Sequence, residues 1–179
     1  EDAERLSRDA ELYKLRQQLQ PHVLFNRLNS ISALLTRQPE QARKMIYQLS
    51  DFLRATLRKE EEQWVKMEEE LQTLELYLDI EKVRFGRRLT TFIEKDNSCL
   101  QMQLPPMLLQ PVMENAIKFG LYDTTDDVTI SMFITKENDY LKVVIKNPFD
   151  LETSTPKRGT GFGLNSVKRR LYLLFARND

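Results

Sequence analysis

The chain has 179 residues, of which 41% are hydrophobic and 30% charged, with 27 basic side chains balancing 27 acidic ones. This composition is that of a globular protein and excludes the collagen-like, disulfide-scaffold and disordered classes. The net charge is therefore zero, whereas proteins that bind a nucleic-acid backbone usually carry an excess of basic residues. We therefore expect no nucleic-acid partner.

The first helices are indicated by composition and apolar spacing. Residues 2 to about 37 contain no glycine and are rich in Glu, Leu, Arg and Gln, which predicts a long helix kinked just before His22, at Pro21. After the kink, apolar residues recur at i, i+4 and i+7, at Leu24, Leu28, Ile31 and Leu35. His22 and Asn26 project from the other side of this stripe, so His22 is expected to face outward.

A second amphipathic helix is predicted from near Pro39 to about Arg58. Two such helices joined by a few residues form an antiparallel hairpin, and their surplus apolar surface predicts pairing with a second copy. The charged stretch from Lys59 to Lys66 indicates a connector. We therefore predict a homodimerising hairpin domain over residues 1–62 and a second domain over residues 63–179.

The second domain mixes helical and strand patterns. Helices are predicted at Met67 to Phe85, at Met107 to Phe119 with an end at Gly120, and at Phe162 to Ala176. A strand is predicted at Leu89 to Glu94, and period-2 runs around Ile130 and Val143 predict a hairpin that turns at Asn138 and Asp139. The domain is therefore expected to be α+β, with a mixed, mainly antiparallel sheet and helices on one face.

Three of the five glycines fall within five residues, at Gly159, Gly161 and Gly163, where a polar loop opens the last helix. Free backbone N–H groups and the helix dipole attract phosphate in this setting. The spacing is not that of the dinucleotide-binding fingerprint, and no Walker lysine follows. On spacing alone, a flexible glycine-rich helix entry and a phosphate loop remain equal alternatives.

A second polar group interrupts the apolar helix before it. Glu114, Asn115 and Lys118 lie within about one helical turn of one another. Carboxylate and amide oxygens suit magnesium, and a lysine suits phosphate. By itself such a triplet is more commonly an exposed polar stripe, but together with the downstream glycine loop it favours a magnesium–nucleotide site.

Four segments in this order resemble the LytS-like subgroup of sensor histidine kinases. They are Gln20–Ile31 (QPHVLFNRLNSI), Tyr77–Phe85 (YLDIEKVRF), Glu114–Lys118 (ENAIK) and Gly159–Asn165 (GTGFGLN). The resemblance spans about residues 15 to 175. It implies a GHKL-type α/β sandwich that uses ATP and Mg²⁺, with a mobile lid, and a closing strand that would lie beyond this chain.

The resemblance also implies roles for individual residues. His22 would be the phosphoacceptor, with Asn26 one turn away. Asn115 would bind the metal, Lys118 would touch the phosphates, and Asn147 would take the place of the adenine-binding aspartate. Glu114 is a candidate proton acceptor on its chemistry alone. The lid and phosphate loop would comprise Gly159, Thr160, Gly161, Gly163 and Leu164.

The implied function is autophosphorylation of a homodimer at His22 followed by transfer to an aspartate of a response regulator. The implied location is the cytoplasmic part of a bacterial sensor anchored in the inner membrane through segments outside this sequence. Three departures from the family pattern are Asn147 in place of aspartate, Phe149 in place of a lid glycine and Phe119 in place of histidine. These departures support an alternative function, that of a non-catalytic dimeric signalling scaffold. A third alternative is an ATPase that hydrolyses ATP with Glu114 and forms no phosphohistidine.

Overall fold

A computed structural model describes residues 7, 10–12, 20–60, 64–121, 124–148 and 162–175. The side chains of residues 20–23, 60 and 162 lie outside this description. The longer helices are α1 (Gln20–Leu35), α2 (Pro39–Glu60), α3 (Met67–Phe85), α4 (Leu109–Leu121) and α5 (Phe162–Phe175). The strands are β1 (Val65–Lys66), β2 (Leu89–Lys95), β3 (Gln103–Leu104), β4 (Val128–Glu137) and β5 (Tyr140–Lys146).

The sheet contains three strands in the order β2-β4-β5. Strand β2 pairs with β4 in parallel, and β4 pairs with β5 antiparallel through a turn at Asn138 and Asp139. The short strands β1 and β3 form a separate antiparallel pair, so two of the three described pairings are antiparallel. The predicted α+β class, with a mixed and mainly antiparallel sheet, is confirmed.

One face of this sheet is buried, as its period-2 pattern predicts. On β4, Val128, Ile130, Met132 and Ile134 are all buried, while the residues between them are exposed or half-buried. Helices α3 and α4 pack on the sheet. On the opposite face Phe92 lies beside Phe133, with ring centroids 6.1 Å apart, and the Lys146 ammonium lies over the Phe133 ring.

The hairpin of α1 and α2 packs on α3 through one of its two apolar faces. Its buried residues include Ile31, Ala42, Met45, Leu49 and Phe52, and the Phe52 ring lies 6.2 Å from that of Tyr77 on α3. Only part of the predicted apolar stripe on α1 faces the core, because Ile31 is buried while Leu28 and Leu35 are exposed. The predicted kink lies outside the described residues, and the domain boundary at residue 62 stays a prediction.

Helix α4 differs from its predicted bounds. It begins at Leu109 rather than Met107, and it continues through Gly120 to Leu121. A Cβ at position 120 would lie 3.2 Å from Cγ1 of Val128, so this glycine is required by close packing against β4. The prediction that the helix ends at Gly120 is therefore wrong, because the glycine permits close contact with β4.

Within the described residues, no helix combines the length and hydropathy that crossing a membrane requires.

Candidate functional site

Helix α4 carries the polar triplet, and its beginning is held by two buried side chains. The Glu70 carboxylate on α3 accepts hydrogen bonds from the backbone N–H groups of Met107 and Leu109, at 2.9 and 3.1 Å. The Arg170 guanidinium on α5 donates to the carbonyls of Pro106 and Met107, at 2.7 and 3.3 Å. Because the first N–H groups of a helix lack partners within it, the Glu70 bond to Leu109 satisfies one of them at the start of α4. The other three bonds hold the two residues Pro106 and Met107 that precede the helix.

The polar triplet lies on the open side of α4. Met113, Ala116 and Ile117 are buried in the core. Glu114 and Asn115 are half-buried and Lys118 is exposed, with its ammonium 5.8 Å from the ring centroid of Phe119. The helix therefore directs its apolar residues into the core and leaves a carboxylate, an amide and a cation at its edge.

Asn147 lies beside the last turn of this helix. It directly follows β5, and a Cβ added to Gly120 would be 3.8 Å from the Asn147 Cβ. The Asn147 amide nitrogen donates to the carbonyl of Pro148 at 3.0 Å. The sheet thus brings Asn147 against the last turn of the helix that carries Lys118, although 28 intervening residues separate the two in sequence.

The glycine loop is described only in part. Gly159, Thr160 and Gly161 lie outside the described residues, whereas Gly163 and the exposed Leu164 lie in the first turn of α5. A Cβ at Gly163 would approach Pro111 of α4 to 3.9 Å, so the two helices meet near their beginnings. The end of the glycine loop is thus placed one helical turn before Asn115.

The predicted phosphoacceptor lies on α1. The backbone of His22 is helical, and its predicted outward orientation concerns a side chain outside the described residues. Asn26 is half-buried, and its backbone carbonyl accepts a hydrogen bond from the Ser30 hydroxyl at 2.9 Å. The structure therefore places His22 and Asn26 on a different helix from Asn115 and Lys118.

A buried ion pair joins α1 to α3. The Arg27 guanidinium contacts the Glu81 carboxylate, and the two residues are 2% and 1% exposed. Burial raises the pKa of the Glu81 carboxyl, Arg27 and Arg84 oppose this rise, and the negative charge of Glu114 adds to it. Glu81 therefore interacts electrostatically with both the His22 helix and the polar triplet of α4.

Four buried charged residues were not predicted as site residues: Arg27, Glu70, Glu81 and Arg170. Arg27 follows Leu24 by three residues and precedes Ile31 by four, so it occupies the buried stripe of its helix. Glu81 occupies the equivalent position after Leu74 and Leu78. A charged residue at an apolar position in a helical pattern is the signal that could have identified this pair.

The described residues also line an apolar groove of about 1000 Å³ between β5, α4 and α5. Its walls are mainly aliphatic, from residues such as Val112, Leu141 and Leu171, and they include none of the predicted site residues. Phosphates need cations or N–H donors. The groove is therefore distinct from the candidate nucleotide site around Asn115, Lys118 and Asn147.

The donor set around Asn115 is compatible with magnesium. Among the residues that the structure describes, no cluster of three or more His, Cys, Asp or Glu side chains could hold a metal. Magnesium in nucleotide sites commonly takes only one or two protein oxygens, with water and phosphate oxygens completing its octahedron. The Asn115 amide oxygen, with Glu114 beside it, fits that requirement.

The chain is similar in sequence to histidine kinases. A histidine kinase family model matches residues 10–89. The chain is 34% identical to the sensor protein LytS of Staphylococcus haemolyticus over 96% of its length, and 36% identical to the sensor histidine kinase BtsS of Escherichia coli over 90%. These alignments cover 31% and 28% of the two relatives, so the chain spans about a third of their length.

Proposed function

We propose that this chain, a LytS-like histidine kinase by sequence, is the kinase region of a bacterial sensor. It transfers the γ-phosphoryl group of ATP to His22 and then to an aspartate of a response-regulator protein. The region acts as a homodimer on the cytoplasmic side of a membrane-anchored sensor. The observation that carries the proposal is the placement of Asn115 and Lys118 on a helix that meets Asn147 at one end and the glycine loop's helix at the other.

The transfer needs a nucleophile, a proton acceptor and charge neutralisation. The lone pair of a nitrogen of the neutral His22 imidazole attacks the γ-phosphorus of ATP. An N–P bond forms as the bond between the γ-phosphorus and the ADP oxygen breaks, and ADP leaves. The proton on the other ring nitrogen must then leave. The Asn26 amide oxygen, four residues away on the same helix, can orient that N–H group, and the Glu114 carboxylate can accept the proton.

Magnesium, when bound with the nucleotide, supplies positive charge that neutralises the phosphate oxygens. Asn115 would hold it through its amide oxygen, and Lys118 would bind a phosphate oxygen from the exposed end of α4. Asn147 accepts from the adenine amino group through its amide oxygen, a neutral hydrogen bond about half as strong as one to a carboxylate.

The exposed face of the hairpin supports dimerisation. Phe25, Leu28 and Tyr47 are 66%, 46% and 67% exposed, and Leu35, Ile46 and Leu57 are also exposed. The opposite face of the hairpin is already covered by α3. Apolar residues repeated along both helices and left outside the core are typical of a surface that a second copy covers.

Leu28→Glu is expected to dissociate this dimer, because an unpaired carboxylate would be buried at its centre. The dimer dissociation constant should rise about 30-fold or more, as for loss of about 2 kcal/mol at an interface hot spot. Light scattering across a concentration series measures the mass. Gln72→Glu, which adds the same charge at an exposed position on α3, should leave the parent's mass unchanged. A parent that is monomeric at tens of micromolar would contradict the bundle.

The Asn147→Asp variant tests whether the chain is an active kinase or a non-catalytic scaffold. A carboxylate at this position should tighten ATP binding by about 5- to 30-fold, because a charged hydrogen bond contributes at most ~1–2 kcal/mol more. Isothermal titration calorimetry with magnesium-ATP measures the affinities of variant and parent. If the parent gives no binding heat and Asn147→Asp restores none, the kinase proposal fails and the scaffold alternative stands.

A further inference from the structure

The Arg27–Glu81 ion pair differs from a surface ion pair in its burial and in its contact with an aromatic ring. Both side chains are almost fully buried, and the Arg27 guanidinium also lies 5.2 Å from the centre of the Tyr77 ring. Arg84, one turn along α3, approaches the second Glu81 oxygen to 3.9 Å. A cation on the hairpin is therefore enclosed by a carboxylate and an aromatic ring of the neighbouring helix.

Stability does not explain why this pair is buried. Desolvation of two charges can exceed their mutual attraction, and a buried ion pair is often replaceable by apolar residues without loss of stability. The raised pKa of the Glu81 carboxyl agrees with this, because burial outweighs the opposing effects of Arg27 and Arg84. A buried ion pair can instead fix the register of two helices, since sliding one helix past the other would leave both charges buried without a partner.

The pair joins the helix of His22 to α3, which in turn contacts the helix of the nucleotide residues. Arg27 follows His22 by five residues on α1, a rise of about 7.5 Å along the helix axis. Glu81 feels the charge of Glu114, which is adjacent to Asn115 on α4. The contact thus connects the helix that carries the phosphoacceptor to the region that carries the nucleotide residues.

We propose that Arg27 and Glu81 are positioning residues that fix the register of α1 against α3 and so set the approach of His22 to the bound nucleotide. The inference rests on the proposed kinase function and deepens it. Loss of the pair changes the rate of phosphoryl transfer without changing ATP binding, because neither residue belongs to the nucleotide site. A misplacement of about 1 Å costs a reaction about 100-fold in rate.

The test replaces both charges with apolar side chains, in the double variant Arg27→Met with Glu81→Leu. We expect its thermal unfolding midpoint to stay at or above the parent's and its ATP affinity, by calorimetry, to stay within about twofold. The initial rate of His22 labelling at saturating magnesium-ATP should fall about 100-fold. This separation of rate from affinity is what a purely structural role would not produce.

The chain offers a matched control in Arg54 and Asp51 on α2. Their side chains also form an ion pair, at 2.6 Å, but they are 65% and 55% exposed. Arg54→Met with Asp51→Asn should leave the unfolding midpoint, ATP affinity and labelling rate at the parent's values, because exposed pairs contribute little. A comparable loss of rate in this control would show that charge removal anywhere on the hairpin suffices, and the inference would fail.

The remaining outcomes distinguish the inference from the proposed function. A parent that is never labelled overturns the kinase function itself. A labelled parent with a double variant that is equally fast, faster, or weakened in ATP binding overturns the positioning role alone. If the double variant does not fold, Arg27→Lys decides: lysine keeps the charge but lacks the planar fork, so a slower rate at unchanged ATP affinity supports the role and an unchanged rate refutes it.

Discussion

His22→Gln is expected to abolish labelling of the chain by γ-labelled ATP. In the parent, the label should be acid-labile and alkali-stable, as a phosphorus–nitrogen bond to imidazole is. Because His22 is the only histidine of the sequence, no second imidazole can replace it. The measurement is the protein-bound label after acid and alkali treatment of the parent, of His22→Gln and of His22→Ala.

The control for this prediction is nucleotide binding. His22→Gln should bind magnesium-ATP as the parent does, since His22 and the nucleotide residues lie on different helices. Label that persists in both variants would place the acceptor on another residue. Release of inorganic phosphate by an unlabelled parent, lost in Glu114→Gln, would instead favour the ATPase alternative.

Asn115→Ala is expected to remove magnesium-dependent ATP binding and labelling together. Losing even a residue that supports a metal ligand costs about 10- to 100-fold in metal affinity, so loss of the ligand itself should cost about 100-fold or more. Calorimetry with ATP, with and without magnesium, measures the metal-dependent part of the affinity. Without magnesium, the variant and the parent should bind ATP equally weakly.

Gln72→Ala is the matched control, because it removes an exposed amide from α3, a different helix from the one that carries Asn115. Its ATP affinity and labelling should equal the parent's. If Asn115→Ala binds magnesium-ATP as tightly as the parent does, the metal is held by other groups and the assignment of Asn115 is wrong. If binding persists but labelling stops, Asn115 acts in the transfer step and not in metal binding.

Helices and strands were largely predictable because their signals are local. The predicted helix Met67 to Phe85 has the observed bounds of α3, and the period-2 runs became β4 and β5 with the turn at Asn138 and Asp139. Apolar periodicity reflects burial on one face, and these elements each bury one face. The short strands β1 and β3 were not predicted, because two residues are too few to show a period.

The candidate site was predictable to the extent that its residues lie in short motifs. Glu114, Asn115 and Lys118 share one helix, so their proximity follows from helical spacing alone. Asn147 was placed by resemblance, and the structure puts it beside Gly120. The roles of these residues, of His22 and of the glycine loop stay predictions.

The α+β class, most helix and strand positions and the residues of the polar triplet could be predicted from the sequence, since each depends on neighbours within about two helical turns. The parallel pairing of β2 with β4 and the contact of Arg27 with Glu81 became visible only in the folded chain. The two features share one cause. Contacts between residues far apart in the chain are selected by the packing and desolvation of the whole core, and no local spacing records which distant partner a buried side chain will meet.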